Sequence, residues 1–506
     1  MSTHLTDNPE PPKIKAELPV VSHIYCMLRE GADYYSRLYH RHQLGLYTLR
    51  TIFGRMYIIS SSSWTQAFHR ASKSLSFHDL VVPTLHSVLD LDPETLQIFT
   101  ENLNNERGDR SGVLWEIHNL VKRVLAPRSK GLEEVNQVFF DEIAALVNAL
   151  PRDEGTKSVE LWKWVCRIMS KSSTTATYGP SNPFALEPSL VDDFWNIAQN
   201  MHILFIFSRS WLLSYLAPKL SEARERVFRA LREYYETEKF TSGSSLAQES
   251  ARMRLSKGMT KSQSGQAELS IVMALLLNTV PATFWFLTYI FADTKLLAEV
   301  RQEVDACTIP TNNTHILTAT KLRTHCPLLN SALRETLRLA APMNTTRYVR
   351  EDTLLRNPVT RETYLLRKGS LAQIATTVIH QQREIYGAEA PPEEFCAERF
   401  LRTSRLGEDP ATGFRRHDDD GGNVVGSSVC PGRHFAWMEM LAFGALLIAG
   451  FDFEDAGKGG GGAIAVPPFR KEKMFIAQGL RKPAVDPNVV IRRRKRFEDV
   501  SWKLEL

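Results

Sequence analysis

Hydrophobic and polar positions follow two different periods along this chain. Leu44 to Ser60, LGLYTLRTIFGRMYIIS, crowds β-branched and aromatic residues on both sides of Phe53-Gly54-Arg55, which predicts a β-hairpin. Residues 29–43 before it read as helical, and from about residue 65 to 340 helical patterns dominate, so the chain reads as mainly α. Polar breaks fall at Gly155–Ser158 and at the Ser/Gln/Lys-rich Thr241–Gly265, the second expected to be a mobile surface connection. No repeat of fixed period is visible.

Two apolar stretches carry the strongest signals. Leu269 to Ala292 holds no charged residue, and by length alone would qualify as a transmembrane helix. Asn278, Thr279 and Pro281 in its middle favour instead a helix buried inside a large protein. Pro281 removes the N–H that would bond the Leu277 carbonyl, which predicts a kink and a freed acceptor beside Asn278 and Thr279. Asn200 to Pro218, NMHILFIFSRSWLLSYLAP, has one charge, Arg209, and fits either a core helix or a segment dipping into a membrane surface.

Composition narrows the function classes. A chain of 506 residues with 43% hydrophobic and 24% charged residues is an ordinary globular protein. Without a long linker it reads as one large domain over residues 21–506, after a polar extension at 1–20. That extension has the marks of neither a signal peptide nor a membrane anchor. The net charge of +5 makes no case for nucleic acid. Six cysteines without a CxxC pair argue against zinc and against a disulfide framework, and for a reducing compartment. Gly459–Gly462 reads as a turn, and Arg492–Arg496 as a solvated strand end rather than a nucleic-acid patch.

The candidate chemistry centres on Gly421 to Met440, GGNVVGSSVCPGRHFAWMEM. A loop delivers Cys430 to the start of an apolar helix, with Pro431 suited to the first helical position and Gly432 allowing close approach of a flat ligand. The helix N-terminus favours a thiolate, a metal ligand; a buried small hydrophobe is the alternative. Gly426, Cys430 and Gly432, followed by Arg433-His434-Phe435-Ala436, resemble the haem loop of the cytochrome P450 family. Asn423 and Ser428 depart from its usual Phe and Arg or His.

Other motifs stand in that family's order. Glu335 and Arg338, in SALRETLR, are spaced to pair on one helix face. With Arg399 of FCAERF they resemble the family's network bracing the cysteine loop; a surface ion pair is the alternative. The resemblance makes Arg347, five residues before Asp352, a haem-propionate partner, and likewise Trp115 and His118 of WEIHN, where Asn119 replaces an arginine. A surface arginine and core packing are the alternatives.

The family's acid and alcohol, which supply protons in oxygen activation, are replaced here by Val280 and Pro281. Asn278-x-x-Pro281-Ala282 resembles the branch holding sterol 7α-hydroxylases and prostacyclin synthase, and makes Asn278 and Thr279 the catalytic candidates. The resemblance implies a large helical fold with small β-sheets, haem b held by Cys430, and oxygen insertion from O2 into a bulky apolar sterol, terpenoid or other secondary metabolite. Electrons would come from NADPH-cytochrome P450 reductase, with peripheral attachment to the cytoplasmic side of the endoplasmic reticulum. A reductase-independent isomerase or dehydratase of an oxygenated lipid, and a non-catalytic membrane protein, are the competing readings.

Overall fold

The computed structural model describes residues 8–15, 22–52, 54–152, 155–207, 210–341, 345–401, 430–458, 462–471 and 479–506. It is mainly helical, with small sheets at the periphery. Six helices position the site: α1 (Val113–Val124), α2 (Leu161–Tyr178), α3 (Leu269–Leu276), α4 (Thr279–Ala292), α5 (Pro327–Ala340) and α6 (Arg433–Gly450). One continuous apolar cluster runs through all of them, with α6 buried along nearly its whole length. Such an all-round apolar helix is stable only when other helices wrap it. Gly444 allows the closest of these approaches, since a Cβ there would meet Phe286 Cε1 of α4 at 2.4 Å.

The Leu269–Ala292 stretch meets the length and composition of a membrane span, but most of it is buried inside the fold. It is two helices: α3 ends at Leu276 and α4 begins at Thr279. The Leu277 N–H still bonds Met273 O at 3.1 Å and the Ala282 N–H bonds Asn278 O at 3.0 Å, while among the described residues no backbone N–H reaches Leu277 O. This is the carbonyl that Pro281 leaves without a partner.

The hairpin forms as Leu46–Thr51 against Gly54–Ile59, antiparallel, and Phe53 at its turn lies outside the described residues. Its sheet continues through Leu371–Ile374, parallel to Gly54–Ile59, then Thr345–Val349 and Leu75–Ser76. Residues 29–43 are split at Gly31, φ +61°, into helices Ser22–Glu30 and Asp33–His42. Part of the N-terminal extension docks on this sheet, where the Ile14 N–H bonds Thr48 O at 3.0 Å, and on the separate hairpin of Thr353–Arg356 with Thr363–Leu366, where the Leu365 N–H bonds Pro9 O at 3.0 Å.

Three expectations are corrected. Thr241–Gly265 is not a loose connection: it holds helices Ser245–Ser256 and Lys261–Ala267, capped by Ser244 and by a Thr260–Gln263 capping box. Leu246, Ala247 and Ala251 turn inward there, and buried Arg254 pairs with buried Glu268. The polar break at Gly155–Ser158 leads into a strand, Thr156–Glu160, because Asn488–Arg493 offers it an antiparallel partner. Within the basic run, Arg493 is buried rather than solvated, and its guanidinium donates to the carbonyls of Val147, Asn148, Leu150, Pro151 and Val500. Of Gly459–Gly462, the first three residues lie outside the described segments.

Candidate active site

Cys430 stands just ahead of α6, whose N-cap is Gly432; Pro431 belongs to the preceding turn rather than to the first helical position. The Arg433 N–H reaches back to Cys430 O at 3.4 Å, and the helix proper starts with Ala436 N–H on Gly432 O at 3.0 Å. The backbone N–H groups of Gly432 and Arg433 reach the sulfur, as the helix N-terminus implies. Without a metal, desolvation outweighs them and raises the thiol above its ordinary pKa, although Cys430 itself is exposed. A coordinating metal ion reverses that balance, because it deprotonates a bound thiol outright. Gly426 and the other loop positions before Cys430 lie outside the described residues. Beside Gly432 there is room: an added Cβ would meet only Leu125 Cδ1, at 4.0 Å.

A second group of side chains forms a cationic cluster. Arg347 is 7% exposed, and its guanidinium sits 5.1 Å from the Phe77 ring and 5.9 Å from that of Phe68. Its hydrogen bond is to its neighbour's carbonyl, Thr346 O at 2.8 Å, and no carboxylate among the described residues pairs with it. Burial lowers it to about 10. His78 packs edge-on to Trp115 at 5.1 Å and bonds Leu103 O at 2.8 Å through Nδ1. Burial holds His69, His78 and His118 below the usual imidazole range; Arg347 presses His69 and His78 further down, and His78 does the same to His118. The Trp115 indole N–H is buried with no acceptor. Asn119 is exposed. The acids nearest His78, Asp79 and Glu106, are engaged by Arg350. Among the described residues such a set has no free carboxylate to receive its donors, and the two propionates of a haem would supply them. The residues therefore fit haem b. His69 and His78 were missed in the sequence because isolated histidines carry no spacing signal.

The third group is the bracing network. Glu335 of α5, 0% exposed, accepts from Arg338 Nε at 2.8 Å and NH2 at 2.7 Å, from Arg399 Nε at 3.0 Å and from Cys396 N–H at 3.1 Å. Arg399 spends its remaining donors on the carbonyls of Tyr386, Ala390, Pro391 and Glu394. Arg338 reaches His380 O at 2.7 Å. All three charged groups are buried, so this is no surface pair.

At the junction of α3 and α4, Ala274 and Asn278 are exposed on helices otherwise mostly buried, one turn apart on one face. Asn278 is the N-cap of α4, yet its side chain makes no capping bond. Thr279, Val280 and Pro281 are buried. Glu439 of α6 is a further residue that the sequence reading passed over: a buried carboxyl, raised to about 8 by desolvation and partnered by the Ser173 hydroxyl.

The sequence model of the family described as Cytochrome P450 matches residues 93–460. The chain belongs to the cytochrome P450 family. Cytochrome P450 monooxygenase nodJ of Hypoxylon pulicicidum is 27% identical over 518 aligned positions, covering 98% of this chain and 92% of that protein. The 25-hydroxycholesterol 7-alpha-hydroxylase of Rattus norvegicus is 29% identical over 252 residues, 47% of this chain and 55% of that one. The solved structure of retinoic acid bound cyanobacterial CYP120A1 matches with a TM-score of 0.66 at 17% identity, over 96% of this chain and 100% of its own, which shows the fold. This cytochrome P450 is accordingly a haem-dependent monooxygenase that takes O2, a substrate and electrons from a redox partner.

Proposed function

We propose that this cytochrome P450 inserts an oxygen atom into a bulky apolar substrate, a sterol, terpenoid or other secondary metabolite, with electrons from NADPH-cytochrome P450 reductase. Residues 21–506 act as one haem-thiolate domain. The observation that carries the reading is the α3–α4 junction: an apolar wall in which a single amide side chain, Asn278, is exposed and uncommitted. The sterol class is supported by the relative named for 25-hydroxycholesterol.

Bound haem b supplies O2 activation, so that one oxygen atom enters a C–H bond and the other leaves as water, consuming two electrons from NADPH and two protons. Cys430 holds the iron, with the N–H groups of Gly432 and Arg433 directed at the sulfur. Gly432 would leave the cofactor room. Arg347, Trp115, His118, His69 and His78 receive the carboxylates, and Glu335, Arg338 and Arg399 keep the cysteine loop in register. Asn278 and Thr279 hold a water and pass protons, a task that buried Val280 and Pro281 have no group to perform.

Attachment to the cytoplasmic side of the endoplasmic reticulum is peripheral, through helices Met201–Ile206 and Ser210–Leu216. Trp211 is 69% and Tyr215 81% exposed there, while Phe205 packs partly on the core. Trp211→Glu with Tyr215→Glu should weaken sedimentation with microsomal lipid; unchanged sedimentation removes this contact.

Co-expression with a reductase in a host making candidate substrates, followed by mass spectrometry, tests the reaction. Product should require NADPH and the reductase. Cys430→Ser should lose both product and the red-shifted ferrous–CO Soret band of a thiolate-ligated haem. Turnover of the unaltered protein without reductase, NADPH or O2 uptake would make it an isomerase instead.

A further inference from the structure

Gly479 lies on the segment that returns to the molecule's centre near the C-terminus, and it adopts φ +76°, a conformation that side-chain-bearing residues rarely take. Its neighbours are pinned on two sides. The Arg481 N–H bonds Ala340 O at the end of α5 at 2.9 Å, and the Arg481 carbonyl accepts from Trp285 Nε1 of α4 at 2.7 Å. The Arg481 guanidinium lies 5.0 Å from the Phe469 ring, which itself packs 4.5 Å from Trp285. Leu480 is buried between these anchors. The register of the segment is thereby fixed to a single residue.

That register sets Gly479 against the α3–α4 break. A Cβ on Gly479 would stand 2.9 Å from Leu277 O and 3.1 Å from Asn278 Oδ1. The first is the carbonyl that Pro281 leaves without a helical donor, and the second belongs to the amide that makes no capping bond. The freed carbonyl is thus covered by the Gly479 backbone rather than left open.

We propose that Gly479 is the positioning residue for Asn278. Its bare Cα is the wall on which the carboxamide oxygen rests, and this turns the Asn278 NH2 group away from the segment, as a donor. The side chain offered to a bound substrate or water is thereby a hydrogen-bond donor of fixed direction. A side chain at 479 must displace the Leu277 carbonyl, whose contact is closer than real Cβ atoms tolerate, and press the amide oxygen aside by a few tenths of an ångström. This rests on the reading of Asn278 as the group that delivers protons.

The test is a double-mutant cycle on the haem-loaded protein with reductase, reading product formed per NADPH, peroxide released, and the Fe–CO stretching frequency. Gly479→Ala should keep its haem and thiolate-type CO spectrum, yet lower product per NADPH by about tenfold or more, since an ångström of misplacement can cost about 10² in rate. Asn278→Leu should give the same loss. In the Asn278→Leu background, Gly479→Ala should change neither coupling nor the Fe–CO frequency. If Asn278→Leu uncouples but Gly479→Ala is silent, or acts equally in both backgrounds, Gly479 does not position the amide and the proposal falls. If Asn278→Leu is itself fully coupled, the reading of Asn278 falls first, and the inference with it. Should Gly479→Ala lose haem, Asn278→Gln moves the carboxamide by one methylene without touching the segment; full coupling in that variant overturns the proposal, and uncoupling supports it.

Discussion

Removing Glu335 tests whether the bracing network acts through burial. Glu335→Ala deletes the acceptor of four hydrogen bonds and leaves the Arg338 and Arg399 guanidinium groups buried without an anion. Arg399 keeps four carbonyl partners on its two terminal nitrogens, while its Nε–H and its charge are left without one. Breaking a buried pair from one side costs about 3–5 kcal/mol, a third or more of a typical domain's whole stability. Unfolding of a chain this large is commonly irreversible, so the useful measurement is a rate: the half-life of the ferrous–CO band at one elevated temperature. If the loss falls on the native state alone, that half-life shortens about a hundredfold or more. Glu335→Gln, which keeps one acceptor oxygen, should fall between. Glu160→Ala is the control, because its Lys163 pair is exposed on both sides and should leave the half-life unchanged. A Glu335→Ala half-life within threefold of the unaltered protein, with haem content intact, would refute the reasoning.

Three further outcomes follow from the same geometry. Glu439 is raised from 4.5 to about 8 by burial, so above pH 4.5 the unfolded chain releases a proton that the native state retains, and the group's contribution is lost as pH rises towards 8. Glu439→Gln should therefore be more stable relative to the unaltered protein at pH 8 than at pH 5, by urea midpoints; a pH-independent difference removes the carboxyl as the cause. Gly444→Ala should destabilise by about 1–3 kcal/mol, against the usual gain from alanine in a helix, with Phe286→Leu relieving it. Arg347→Leu should speed haem transfer to a scavenging apoprotein without lowering the stability of the haem-free chain, since Arg347 has no carboxylate partner among the described residues; unchanged haem transfer removes it from the carboxylate site.

What was legible in the sequence was what neighbours in the chain decide. The hairpin around Gly54, the break that Pro281 makes and the pairing of Glu335 with Arg338 each depend on residues a few positions apart. What was not legible depends on partners far away. Thr156–Glu160 is a strand only because Asn488–Arg493 lies beside it. The Ser-rich stretch before Gly265 is helical because its caps and its inward Leu246 and Arg254 find a buried surface. His78 meets Trp115 across 37 positions of chain, and no spacing rule announces that contact.

The helix that follows Cys430 is buried along nearly its whole length, yet it is preceded by more than four hundred residues of chain. Phe139 and Trp164, made long before it, rest in the finished protein against its Phe435 and Phe443. At roughly 5–20 residues per second of synthesis, those rings wait on the order of tens of seconds on the ribosome for their covering. The N-terminal two thirds of the chain is thus a nascent protein with its interior showing, a ready client for chaperones. Synthesis rate and chaperone supply should therefore affect how much folded protein a host accumulates.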